Sequence, residues 1–328
     1  MDTPLVRRKL LTSLALVSPG LIWSAYLAVR RAAMALLYKP AALPESQVLR
    51  DIQYHAHSND KKHRLDLFIP DGSDWPIMIF VHGGGLASGD KSLRVGGDDV
   101  YGNIGRFYAS EGVGVAVINY RLQPGVSWRE QVDDVARATA WIFANAEEYG
   151  GDPNRIFIAG HSAGAHLAAR IALDSKALGQ FGLSPCILSG IIAVSGAGFD
   201  LADEQTYDLG HKLRRYEARF RCGDPTDNWK KEASPITYVA CGAPPFLILY
   251  ADRESKSLQR QSQLLHQALQ QKEIPSQLLV VPKQNHSRIV LTLSRSDKTS
   301  APAILRFIRE TPGRQPIDRQ PLDLAACG

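Results

Sequence analysis

The sequence is poor in residues that carry metal and redox chemistry. Four cysteines, Cys186, Cys222, Cys241 and Cys327, are spread over 328 residues with no CxxC spacing and no histidine at a zinc-ligand interval. That excludes zinc-ribbon and thioredoxin-type readings, and no metal is expected. The compartment stays open, because a Cys222–Cys241 bridge in an oxidising space and buried free thiols are both compatible with so few cysteines. Charge of one sign is also missing. The 38 Lys+Arg stand against 33 Asp+Glu, net +5, and the basic residues are dispersed apart from Arg7-Arg8-Lys9, Arg30-Arg31 and Arg214-Arg215. Such a distribution makes no nucleic-acid footprint, and no nucleic-acid partner is expected. Internal repeats, low-complexity tracts and a GxxxxGK motif are absent as well, which removes solenoid, disordered and P-loop classes. What is present is a 45% hydrophobic chain, long enough for one large core.

One uncharged run is long. Leu10 to Val29 carries no charge and is flanked by Arg7-Arg8-Lys9 and Arg30-Arg31. It exceeds the apolar region of a cleaved signal, about 7 to 15 residues, and reaches the roughly 18 residues that can span a bilayer. Residues 1–40 are therefore expected to be a membrane anchor, with a cleaved leader ending near Ala33-Met34-Ala35 as the alternative. Pro19-Gly20 interrupts the run, and basic residues on both flanks leave its orientation open. The expected location is membrane-anchored or exported.

From about residue 48 the punctuation becomes regular. Leu65–Ile69, Ile77–Val81, Val113–Ile118, Ile156–Ile158, Ile191–Val194, Phe246–Tyr250 and Gln277–Val281 read as strands, the later ones as continuous apolar runs. Such runs suit parallel strands covered on both faces. Helical stretches alternate with them at Trp128–Glu148, Ala163–Leu173, Ser257–Gln271 and Pro302–Arg309. The expected class is α/β: a mostly parallel central sheet of about eight strands with helices on both faces. Strands near Val48–Tyr54 and Arg64–Ile69 are expected to pair as an antiparallel edge. The Pro- and Gln-rich residues 312–328 read as a flexible tail.

The stretch Gly160-His161-Ser162-Ala163-Gly164 fits G-x-S-x-G between a strand and a helix. A serine there sits on a tight strained turn, its hydroxyl raised above the carboxyl edge of the sheet and its backbone at a positive helix terminus. Taken alone, the motif also fits a serine that merely caps the helix. Three further features decide for chemistry. His82-Gly83-Gly84-Gly85 follows a strand and precedes the serine, and the amides of Gly84, Gly85 and Ala163 are the expected oxyanion donors. Of nine histidines, His286, just beyond the strand Gln277–Val281, is the expected general base. His55, His57 and His63 resemble a ligand cluster but lack a further partner and read as an edge-strand surface. Behind the base a carboxylate is needed, and the strand Phe246–Tyr250 runs into Ala251-Asp252-Arg253-Glu254. Glu254 is the expected acid because it clears the strand end, and Asp252 is the alternative.

These residues resemble the α/β-hydrolase superfamily, and within it the HGG-motif esterases related to hormone-sensitive lipase, arylformamidases and isoprenylcysteine methylesterases. His82–Gly85, Gly160–Leu167, Ala251–Glu254 and Asn285-His286 carry the resemblance, which covers roughly residues 48–310. Gly223-Asp224-Pro225 and Ala233–Ile236 look most like the latter two branches. The resemblance implies a catalytic domain over 41–311, a cap-like insertion at about 198–243 and no cofactor. It further implies a serine hydrolase acting on small to medium carboxylic esters through Ser162, Glu254 and His286. An arylformamidase-type amidase and a catalytically silent binding protein of the same fold are the alternatives. Two departures stand out: Leu86 replaces the bulky aromatic often found after the oxyanion glycines, and a glutamate replaces the commoner aspartate. The insertion contains Lys212, Arg214, Arg215, Arg219 and Arg221, a basic set that suits a solvated face or an anionic surface, and Leu209, Leu213, Tyr216 and Phe220 can pack one helix face on the core. Oligomeric state is not legible.

Overall fold

The computed structural model describes residues 38–315, apart from Gly96, His211, Lys212 and Asp227. The expected anchor at residues 10–29, Cys327 and most of the expected tail lie outside the described residues. Among the described residues no helix is long and apolar enough to cross a membrane.

Eight strands make the central sheet: β1 (Val48–Gln53), β2 (Arg64–Phe68), β3 (Trp75–Val81), β4 (Gly114–Ile118), β5 (Gly151–His161), β6 (Leu188–Val194), β7 (Phe246–Ala251) and β8 (Ser276–Val281). Their order is β1-β2-β4-β3-β5-β6-β7-β8. β1 and β2 pair antiparallel, as expected, and β2 also runs antiparallel to β4. The other five pairings are parallel. Five principal helices flank the sheet: α1 (Val100–Ser110), α2 (Trp128–Asn145), α3 (Ala163–Leu173), α4 (Lys256–Gln271) and α5 (Ser300–Glu310). A small separate ribbon pairs Arg94–Val95 with Asp98–Asp99.

Burial on both faces explains the apolar runs. Along β3, Ile77, Ile79 and Val81 join the cluster formed with α2, α3 and α4. Met78 and Phe80 join the opposite cluster, with α1 and α5. Alternate side chains of a strand point to opposite faces, so a strand covered twice must be apolar throughout. Helix α2 starts where its sequence dictates: Ser127 accepts a bond from the Glu130 amide, while Glu130 accepts one from the Ser127 amide at 2.8 Å. That reciprocal pair satisfies two otherwise orphaned donors.

Helix α1 was not expected, because Gly102 and Gly105 weaken its helical pattern. Tertiary packing overrides propensity here. A Cβ on Gly105 would lie 2.3 Å from the Phe68 ring, so glycine lets the helix close down onto β2. The histidine cluster also departs from the edge-surface reading. His63 is buried, its Nε2 3.0 Å from Asp134 Oδ1, and the His55 ring lies 4.9 Å from it. No metal-holding group of His, Cys, Asp or Glu occurs among the described residues. The thiols differ from expectation too, since Cys186, Cys222 and Cys241 are free and exposed rather than buried or bridged.

Asp134 ties the antiparallel edge to the rest of the molecule. Besides His63, it receives the Arg121 amide at 2.9 Å and the Arg121 guanidinium at 2.9 and 2.8 Å. These bonds outweigh burial and hold its carboxyl below the usual aspartate range. Removing one partner of a buried ionic set strands the others. Because Arg121 keeps some solvent contact, Asp134→Ala is expected to lower unfolding free energy by about 3 kcal/mol, the low end for such sites. Urea denaturation checks it.

Candidate active site

The register brings five strand ends into line. Val81 pairs with Gly160, His161 with Val194, Val194 with Leu249 and Ala251 with Val281. Loops leaving this carboxyl edge therefore converge above the middle of the sheet, where ligands bind in open α/β folds.

Ser162 sits between β5 and α3 with φ 56° and ψ −118°, a backbone conformation that L-residues avoid. The strain is held by its surroundings: the Ser162 amide donates to the Val194 carbonyl at 2.9 Å, and the Ser162 carbonyl accepts from Ala165 and His166. A Cβ on Gly160 would come within 2.3 Å of the Gly164 backbone, and one on Gly164 within 2.1 Å of the Val81 oxygen. Both glycines are required because helix and strands touch backbone to backbone. The Ser162 hydroxyl makes no helix-capping bond. It points instead to His286, whose Nε2 lies 2.9 Å from Ser162 Oγ.

On its other side, His286 Nδ1 lies 3.1 Å from Glu254 Oε2. Glu254 is buried. With a carboxylate accepting at Nδ1, the imidazole carries its proton there and leaves Nε2 free to take one from the serine. Asp252, the alternative acid, does different work: its exposed carboxylate accepts from the Gln284 amide at 3.0 Å. That bond, with the Asp252 amide to the Val281 carbonyl and the Arg253 amide to the Gln284 carbonyl, zips the acid loop to the histidine loop. Bonds from the loop backbone hold the Asp252 carboxyl below its usual range.

The glycine loop is equally fixed. A Cβ on Gly83 would lie 3.3 Å from Ser162 Cβ, so this loop runs directly beside the serine. Gly84 and Gly85 have φ 125° and 60°, and the Gly84 carbonyl accepts from the Ala87 and Ser88 amides. Leu86 also has a left-handed φ of 65°, costly for a leucine. Its carbonyl is held by Gln131 Nε2 at 2.7 Å and by the Gln123 amide at 3.0 Å. His82 contributes more than backbone: Nδ1 donates to the Gly83 carbonyl at 2.7 Å, and its ring stacks on Tyr120 at 4.3 Å. Tyr120 donates to the His82 carbonyl, and the Gly83 amide donates to Tyr101 Oη. Gly84, Gly85 and Ala163, the first residue of α3, line the same cavity as Ser162.

Several supporting residues escaped the sequence reading. Tyr101 lies on the unexpected helix α1, and Tyr120, Gln123 and Gln131 carry no motif. His161 has a role beyond its place in the motif, its Nε2 donating to the His286 carbonyl at 2.9 Å. Its position inside G-x-S-x-G was the available signal.

The comparisons with known proteins follow this geometry. The family model described as BD-FAE matches residues 65–269, well over half of the chain. The chain belongs to the BD-FAE family. Esterase LipQ of Mycobacterium tuberculosis is 32% identical over 220 residues, 64% of this chain and 50% of that protein. A probable isoprenylcysteine α-carbonyl methylesterase of Oryza sativa is 29% identical over 260 residues, 75% of this chain and 58% of that protein. The chain thus spans between half and six-tenths of the length of these curated relatives. Among solved structures, esterase B of Lactobacillus rhamnosis superposes with a TM-score of 0.66 at 22% identity, covering 87% of this chain and 91% of that one. A tributyrin phosphonate-inhibited form of esterase B gives the same TM-score. This family member therefore has the α/β-hydrolase fold.

Burial sets the charge of three nearby histidines. It pushes His82 down to about 4, and His161 and His166 to about 3, with His286 beside His161 and Arg170 beside His166 adding to the depression. An unfolded histidine titrates near 6.5. Between about pH 6.5 and 3 the unfolded chain therefore binds protons that the folded one refuses, and stability falls as pH falls. Each histidine contributes a slope of up to about 1.4 kcal/mol per pH unit within that window. The urea midpoint is expected to drop clearly between pH 7.5 and pH 5. An unchanged midpoint would mean that these imidazoles accept protons in place.

Proposed function

We propose that this protein is a serine hydrolase of carboxylic esters. The observation that carries the reading is the hydrogen-bonded series from Ser162 through His286 to Glu254, at 2.9 and 3.1 Å. It lies on the strained turn beside the glycine loop. The family and the esterase activities named for the curated relatives support it.

In this reading His286 Nε2 accepts the Ser162 proton as Oγ bonds to the ester carbonyl carbon. The carbonyl electron pair moves onto oxygen and is met by the amides of Gly84, Gly85 and Ala163. The tetrahedral adduct collapses, the bond to the alcohol oxygen breaks, and His286 returns the proton to the departing alcohol. Water then adds to the acyl-enzyme by the same route and releases the acid and Ser162. Glu254 keeps His286 in the required tautomer and stabilises the imidazolium.

The pocket above Ser162 has a volume of about 1080 Å³, room for a small to medium ester. Leu86, buried at its wall, takes the place of a larger ring. The insertion closes one side with Tyr216 and Phe220, both buried, whereas Leu209 stays exposed. The core grips this segment through Trp128 Nε1 to the Phe220 carbonyl and Gln123 Nε2 to the Arg219 carbonyl. We take the insertion to be a cap that shapes the pocket.

Hydrolysis of p-nitrophenyl esters from acetate to palmitate tests the proposal. Ser162→Ala is expected to lower kcat by about 10⁴-fold or more without loss of the folded state. Glu254→Gln is expected to cost about 10³- to 10⁴-fold, and Asp252→Asn, which retains the acceptor for Gln284, less than about threefold. A wild-type protein that cleaves no ester and takes up no fluorophosphonate would overturn the reading in favour of a binding protein. Faster turnover of a formanilide than of the matched ester would assign it to amidases.

We further propose that residues 10–29 tether or export the domain, on the strength of their uncharged length. The full chain expressed in a bacterial host is then expected to stay in the membrane pellet after alkaline carbonate, or to reach the periplasm with a shortened N-terminus. Recovery of the intact chain in the cytosolic supernatant would refute both.

A further inference from the structure

The cavity over Ser162 has two unlike walls. One is apolar: Val100, Tyr101, Val290 and Leu291 belong to the α1/α5 side of the core, with Leu93 and Val95 packed against it. The other, beneath the insertion, carries Arg215, Arg219, Tyr216, Phe220 and His166, and Arg288 joins the lining from the histidine loop. No Asp or Glu is among the described residues that line the cavity.

Arg121, Arg129, Arg170, Arg221 and Arg260 each hold a carboxylate, the pairs being Asp134, Glu232, Asp174, Glu217 and Asp203. Arg215, Arg219 and Arg288 have no carboxylate within ion-pair distance among the described residues. Arg219 is nonetheless held in place: Gln123 Nε2 donates to its carbonyl at 2.8 Å, and its guanidinium reaches Gln123 Oε1 at 3.5 Å. It lies on a π-helical turn, Glu217–Arg221, a distortion found mostly at functional sites. The cavity's positive charge is then guanidinium charge, because burial keeps His161 and His166 neutral at physiological pH. Arg215 and Arg288 are exposed and Arg219 is half-buried, and guanidiniums that face a cleft with no counter-ion among the described residues form an anion-selective surface.

We infer that the preferred substrate is an amphiphilic anionic ester, one limb apolar and the other bearing a carboxylate or phosphate group that Arg215 and Arg219 receive. The inference rests on the ester-hydrolase reading of Ser162 and adds the substrate class. The apolar limb lies along Val100, Tyr101, Val290 and Leu291. The anionic limb lies under the insertion.

Two matched pairs test it, one for each way round the ester: p-nitrophenyl hexanoate against the p-nitrophenyl monoester of adipic acid, and 4-hexanoyloxybenzamide against 4-hexanoyloxybenzoate. In at least one pair the anionic member is expected to have a kcat/KM about tenfold higher. The preference should shrink as ionic strength rises from about 0.02 to 0.5 M. Arg215→Gln combined with Arg219→Gln is expected to abolish it, whereas Arg214→Gln, an exposed arginine off the cavity wall, is expected to keep it. The amide analogues of the same pairs, bound to Ser162→Ala and measured by calorimetry, read the preference without turnover. Equal rates and equal binding within both pairs would overturn the inference, as would a preference that survives the double substitution or is lost with Arg214→Gln. Failure of every ester to react, with no uptake of fluorophosphonate, would fall on the hydrolase reading, while the binding measurement still decides the anion preference.

Discussion

Everything at this site depends on one close approach, that of the first turn of α3 against the ends of β3 and β5. Gly160 and Gly164 leave no side-chain atom between helix and strands. The chain must therefore reverse within a residue, and Ser162 takes a left-handed φ that ordinary packing would relax. The bond from its amide to the Val194 carbonyl carries the strain into the centre of the sheet, the part of the fold least able to yield. Strain stored in this way survives only where neighbours over-determine the conformation.

The rest of the arrangement reads as a set of consequences. Once the serine is raised above the edge, the acid and histidine must arrive from the two strands farther along the parallel series. Their loops are stitched to each other before they reach it, through Asp252, Arg253 and Gln284. His161, the residue before the serine, then holds the His286 carbonyl. The imidazole is thus positioned from both the strand it serves and the strand it leaves.

The sequence was most legible where its periodicity and its chemistry agreed. Apolar runs such as Ile77–Val81 and Phe246–Tyr250 could belong only to strands covered twice, and chain order alone arranged serine, acid and histidine. Glu254 was separable from Asp252 because four residues beyond Tyr250 clears the strand, whereas Asp252 is near enough to serve the turn. Helix α1 was illegible for the opposite reason: its glycines look like breakers until the Phe68 ring that requires one of them is in view. His63 was misread as surface because its partner, Asp134, lies 71 residues away. The unpaired charge of Arg219 could not be told from that of Arg221 on the same turn, since one has a carboxylate within reach and the other a glutamine.

At residues 219 and 220 the core also grips the insertion by its main chain. Trp128 and Gln123 reach the carbonyls of Phe220 and Arg219, groups that any residue at those positions would offer. The wall of the cavity thus has an address independent of its contents. Side chains at 215 and 219 can be exchanged over evolutionary time while the segment stays docked and the reacting groups beneath it remain undisturbed. A lineage can in this way retune what it accepts through a few surface codons, without reopening the costly geometry of the turn below.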